Sequence, residues 1–134
     1  MSKSILDVIS NLRKMLHLTP ASDFDVLNAE YDLGVKFADD FKEYVLEYGV
    51  ITAENVEITG VCTSERLSVV YVTAKERKLN PAIPDDMYVI DSTGYEGLVV
   101  LQNSQGEIFS LGPSSTPKKI FNSLADYLED LQKN

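Results

Sequence analysis

Between Met87 and Leu111 the chain sets down three short apolar runs with joints too short for anything but reversal. The runs are Met87–Asp91, Gly97–Gln102 and Glu107–Leu111. The joints between them are Ser92–Glu96 and the four-residue Asn103-Ser104-Gln105-Gly106, which has a glycine at its end as a hairpin loop does. A parallel crossover takes a dozen residues or more, so these runs have to pair antiparallel, as a three-strand meander. The rest of the chain then has to cover that sheet.

Helical spacing supplies the cover. Ile5, Val8, Ile9, Leu12, Met15 and Leu16 predict a helix over 4–17, opened by Ser4 and Asp7 in a capping box and closed by Thr19-Pro20. Ser22 with Asp25 opens a second helix that runs to Leu33, with Gly34 as its C-terminal glycine. Phe37, Phe41, Tyr44 and Tyr48 form the aromatic face of a third helix over 38–48, stopped by Gly49. Val56, Ile58 and Val61 alternate with polar neighbours and predict a strand near 55–61. The pattern from Thr63 to Lys78 is helical, with helix and strand both open for 67–72, where β-branched residues crowd. Thr116 before Pro117 predicts an N-cap and first helical residue, leading into a helix that carries Ile120, Leu124, Tyr127, Leu128 and Leu131 on one face. The expected fold is a single α+β domain over 1–134, an antiparallel sheet with helices packed against it.

Charge narrows the function. Twelve bases against 21 acids leave a net charge of −9, which argues against direct binding of nucleic acid or of an anionic membrane. One cysteine, Cys62, excludes an intrachain disulfide, and the N-terminus carries no signal-peptide pattern, so a cytoplasmic protein is expected. The catalytic inventory is thin. His17 is the only histidine and reads as a residue near the end of the first helix. Cys62 reads as packing, and no phosphate loop, dinucleotide fingerprint or nucleophile elbow occurs. Asp23-Phe24-Asp25 lacks the glycine and closing glutamate of a calcium loop. The adjacent pairs Asp39-Asp40 and Asp85-Asp86 do not face each other as an acid–base pair must. No cofactor, metal site or catalytic residue is therefore expected.

The acids are unevenly placed. Between Asp23 and Glu65 eleven acids face two lysines, while the remainder of the chain is neutral. Asp39, Glu43 and Glu47 recur every four residues, forming one row opposite the aromatic face of their helix. Like charges at that spacing destabilise a helix, so a row of this kind is either a solvated face or an anionic surface for a basic partner. A second patch is expected at Asp91, Tyr95 and Glu96, with Tyr95 on a glycine-flanked loop as an interface anchor.

The order of motifs resembles the SUKH superfamily. The resemblance is carried by Glu30-Tyr31-Asp32-Leu33-Gly34 and then by Phe41-Lys42-Glu43-Tyr44-Val45-Leu46-Glu47-Tyr48-Gly49. After these come the strand ending at Gly60 with the Leu67–Lys78 segment, and the meander with Gly97-Leu98-Val99-Val100 and Gly106-Glu107-Ile108-Phe109. The resemblance implies an α+β fold, no shared catalytic set, and two kinds of relative: bacterial immunity proteins that neutralise toxins, often nucleases, and regulators of cell-wall synthesis. The leading expectation is a non-enzymatic immunity protein that binds a cognate toxin of basic surface through its acids. The others are a regulatory or scaffold module without a toxin partner, and a small hydrolase built on carboxylates.

Overall fold

The computed structural model describes residues 3–93 and 97–133. Its meander is the one the joints require. Strands β4 (Tyr88–Ser92), β5 (Val99–Gln102) and β6 (Ile108–Leu111) pair antiparallel in chain order, and a fourth strand, β7 (Lys118–Phe121), adds to β6. Alternation along these strands sorts their side chains between two cores. Tyr88, Ile90, Val100 and Ile108 enter the larger one, with helices α1 (Ile5–Ser10), α2 (Asp23–Leu33), α3 (Asp39–Tyr48) and α5 (Leu124–Leu131). Met87, Val89, Val99, Leu101 and Leu111 face the other way, onto Val72 of helix α4 (Val69–Leu79) and onto Ile83, which follows that helix. The architecture is α+β.

Both edges of this sheet are managed. On the free edge of β4, the Val89 N–H donates to Thr73 Oγ1 at 2.9 Å and its carbonyl accepts from Thr59 Oγ1 at 2.8 Å. On the far edge, exposed Lys118 and Lys119 of β7 discourage pairing with another strand.

A second, smaller sheet joins β1 (Leu16–His17), β2 (Ile51–Ala53) and β3 (Val56–Glu57), all antiparallel. It corrects the expectation of a helix over 4–17, because α1 stops at Ser10. There the Asn11 side chain donates to the Asp7 carbonyl at 2.8 Å, and Lys14 takes a positive φ of 58°. Leu16 and His17 then leave the helical track to pair with Thr52 and Ile51. The expected strand over 55–61 reduces to Val56–Glu57, and β2, which precedes it across a tight turn, was not expected. In the 63–78 segment the helix begins at Val69, capped by Ser68, whose Oγ accepts from the Tyr71 N–H at 3.3 Å.

The third correction lies at the C-terminus. Thr116-Pro117 does not start a helix; Lys118–Phe121 pair with β6, and Ser123 caps α5 instead, its Oγ accepting from the Asp126 N–H at 3.1 Å. The hydrogen-bonding edge of β6 competes for those four residues and wins over the local cap signal. Gly49 closes α3 at φ +71°, and a Cβ there would lie 2.1 Å from the Thr19 carbonyl oxygen. This close passage brings the chain leaving β1 across the end of α3.

Candidate protein-binding face

Helix α3 divides cleanly. Phe41, Tyr44 and Val45 are buried, and Phe41 and Phe37 pack on the Tyr88 ring at 5.1 and 4.8 Å between centroids. The Tyr44 hydroxyl accepts from the Ile51 N–H at 3.1 Å and donates to the Thr59 carbonyl at 3.0 Å, so this face is held on the core. On the opposite side Asp39, Glu43 and Glu47 are exposed in one row. Lys42 Nζ stands 4.0 Å from Asp39 Oδ1, with the Asp39 side chain 98% exposed, a contact of little energy. Glu43 and Glu47 form no ion pair among the described residues, and the last turn of the helix carries no base.

Acids elsewhere in the excess are treated differently. Glu54 pairs with Arg13 at 2.6 Å and with Lys14 at 3.8 Å, which holds its carboxyl below the usual range. Glu57 pairs with Arg66 at 2.6 Å. These bases come from outside the 23–65 segment, so folding neutralises part of its sequence excess and brings none of them to Glu43 or Glu47.

Near the start of that row lies a shallow groove of about 620 Å³. Its lining is Ala38, Asp39, Asp40 and Glu43, the β5–β6 hairpin (Ser104, Gln105, Gly106), the entry to α5 (Asn122, Ser123, Ala125) and the start of α1 (Lys3, Ser4, Ile5), where Lys3 pairs with Glu129. Asp40 behaves unlike its neighbour. Its Oδ2 accepts from the Leu124 N–H and its Oδ1 from Gln102 Nε2, each at 3.0 Å. Buried Gln102 accepts in turn from the Tyr88 hydroxyl at 2.7 Å, and that hydroxyl accepts from the Ala38 N–H at 2.9 Å. Burial pushes the Asp40 carboxyl above its ordinary value in spite of those donors. Asp40 is thus a tie between α3, β5 and α5, while Asp39 points into solvent.

The second expected patch lies elsewhere. Asp91, on β4, is half-buried; its Oδ2 accepts from the Tyr127 hydroxyl at 2.8 Å, and burial raises its carboxyl. It lines a separate cleft of about 220 Å³ that also holds Glu57, Arg66 and Glu76. Tyr95 and Glu96 lie outside the described residues. His17 sits on β1 and not near the end of α1, with Nδ1 2.8 Å from the Leu18 carbonyl oxygen and its ring 5.2 Å from that of Tyr48, the last residue of α3. Burial raises the Cys62 thiol, which donates to the Ser64 carbonyl at 3.5 Å. Asp25 accepts from the Ser22 N–H at 3.1 Å and completes the capping box of α2.

One feature escaped the sequence reading. Phe24, Leu27 and Tyr31 are 70%, 63% and 86% exposed on the outer face of α2. Their i, i+3, i+7 spacing is a second apolar stripe, out of phase with buried Val26, Ala29 and Leu33. That doubled stripe was the available signal.

No helix among the described residues is long and apolar enough to cross a membrane. A comparison with curated proteins gives no match. Residues 3–133 match the family model SUKH_5, SMI1-KNR4 cell-wall, which spans essentially the whole chain. The chain therefore belongs to the SUKH family of immunity and regulatory proteins, which act in general by binding other proteins and not by catalysis.

Proposed function

We propose that this protein is a non-enzymatic immunity protein that binds a cognate toxin of nuclease type and blocks access to its substrate. The observation that supports this reading is the exposed row Asp39, Glu43 and Glu47 on α3, met among the described residues by one weak contact, from Lys42 to Asp39. A nuclease needs a basic groove for its phosphate backbone substrate, and an exposed anionic helix face is complementary to such a groove. The row weakens its own helix, which a surface evolved for stability alone would have avoided. In this reading the protein is one cytoplasmic domain, contacts neither nucleic acid nor membrane directly, and carries Asp91, Tyr95 and Glu96 as a second contact patch.

The test is protection of cells expressing the toxin encoded beside the gene. Wild-type protein rescues growth; Asp39→Lys, Glu43→Lys and Glu47→Lys together abolish rescue while circular dichroism and a cooperative thermal transition show that the variant is folded. Full rescue by a folded triple variant discards the α3 surface.

The cell-wall description of the matching family favours a second reading, a regulatory module with no toxin partner. A gene neighbourhood without a toxin, together with a cell-wall defect on deletion, would decide for it.

A further inference from the structure

The outer face of α2 carries the large apolar anchors that an acidic row alone does not provide. At about 100° per residue, Phe24, Leu27 and Tyr31 fall within roughly 60° of one another, directly opposite buried Val26, Ala29 and Leu33. A large apolar side chain left in water contributes nothing to folding, and three on the solvent pole of one helix mark a contact surface. Aromatic residues are the side chains that most often dominate binding energy. Acids flank the stripe, with Asp23 on one side and Asp25 and Asp32 on the other, and no Lys or Arg lies between Asp23 and Val35. Beside the stripe runs a groove of about 320 Å³, floored by Ala29, Val61 and Val70 and edged by Asp25 and Asp32, with no base in its lining.

We propose that the outer face of α2 is the apolar centre of a protein interface, and that its occupant is a basic protein presenting an apolar cleft ringed by Lys and Arg. Spacing at i, i+3 and i+7 is that of a helix laid into an apolar groove. The flanking aspartates and the acid-edged groove then meet the basic rim. A second copy of this chain is the wrong occupant. Self-pairing would set Asp23, Asp25, Glu30 and Asp32 against the same four acids with no base on the helix to offset them. An anionic lipid surface is repelled for the same reason.

This inference rests on the binding reading above and deepens it by placing the partner's apolar contact. The test uses full-length protein in its native cells with a photo-crosslinking residue at one of two positions, Leu27→p-benzoylphenylalanine or Glu47→p-benzoylphenylalanine, with adducts identified by mass spectrometry. The expected result is an adduct from position 27 with a protein of isoelectric point above about 9. Adding Phe24→Ser, Leu27→Ser and Tyr31→Ser to the position-47 protein should cut its adduct at least ~30-fold. These substitutions lie on exposed side chains, so the thermal midpoint should stay at the wild-type value, which separates lost binding from lost folding. An adduct from position 27 with a second copy or an acidic protein overturns the inference. So does an unchanged position-47 adduct in the triple variant. An adduct from position 47 alone overturns the α2 face and leaves the α3 reading standing; silence from both positions counts against both.

Discussion

Tyr127 and Asp91 show how a single hydroxyl can decide the standing of a half-buried carboxylate. The Tyr127 O–H reaches across from α5 to Asp91 Oδ2 at 2.8 Å. Burial raises the Asp91 carboxyl, while that hydrogen bond opposes the rise. Tyr127→Phe removes the opposing donor and should cost about 1–3 kcal/mol at neutral pH, read as a lowered urea midpoint. The sign with pH follows from linkage. A carboxyl whose folded pKa exceeds its unfolded value contributes most below the unfolded value, and that contribution fades as pH climbs through the folded one. Because the variant lifts the folded value further, the stability gap between wild type and variant should widen from about pH 3 to about pH 7. A gap that is flat with pH would mean that Tyr127 serves the neutral carboxyl equally well. Asp40 makes the same point with backbone and amide donors, and its neighbour Asp39, one residue away, has neither burial nor those ties.

At the scale of the element, α3 carries a conflict between its two faces. The aromatic side locks it to Tyr88 and the β2–β3 region. The acid side leaves Glu47 in the last turn, where the helix dipole disfavours a negative charge, four residues after Glu43. Glu47→Lys should therefore stabilise the protein by about 0.5–1 kcal/mol, visible as a higher thermal midpoint, while weakening partner binding. A lower midpoint would show that Glu47 has a structural role. Helix α2 is the complementary case: its capping box and Gly34, at φ +68°, define it from both ends, yet it has an apolar stripe on each side. One stripe packs on the core and the other is left to solvent.

Over the whole molecule, the two ends of the chain are clasped by Gln132. Its Oε1 accepts from the Arg13 N–H at 2.8 Å, and its Nε2 donates to the carbonyls of Arg13 at 3.0 Å and Glu54 at 2.9 Å. Arg13 answers with Nη2 on the Gln132 carbonyl at 2.8 Å and Nε on Glu54. This knot joins the loop before β1, the β2–β3 turn and the exit of α5. Gln132→Ala leaves the Arg13 N–H and the Glu54 carbonyl without their partner, while the Arg13 carbonyl keeps the Glu54 N–H at 2.9 Å; it should cost about 2–3 kcal/mol, with hydrogen exchange rising first in β1–β3. A cost under about 0.5 kcal/mol would mean that water substitutes for the amide.

The elements set by near neighbours were readable in the order of residues: the meander from its short joints, α2 from its capping box, α3 from its aromatic spacing. The α3 acid row belongs to that group, because a periodicity of four is local. What the linear order could not carry were pairings across long stretches of chain. Leu16 and His17 continue the apolar spacing of α1 yet form a strand because Ile51 and Thr52 come alongside, and Lys118–Phe121 become a strand because β6 offers an open edge. The same limit applied to charge, since only folding brings Arg13 and Lys14 to Glu54. It applied as well to the outer stripe of α2, whose exposure depends on which side the core takes. Short-range sterics and spacing act within a few residues, whereas edge pairing, ion pairing and burial are settled by whatever the fold places opposite.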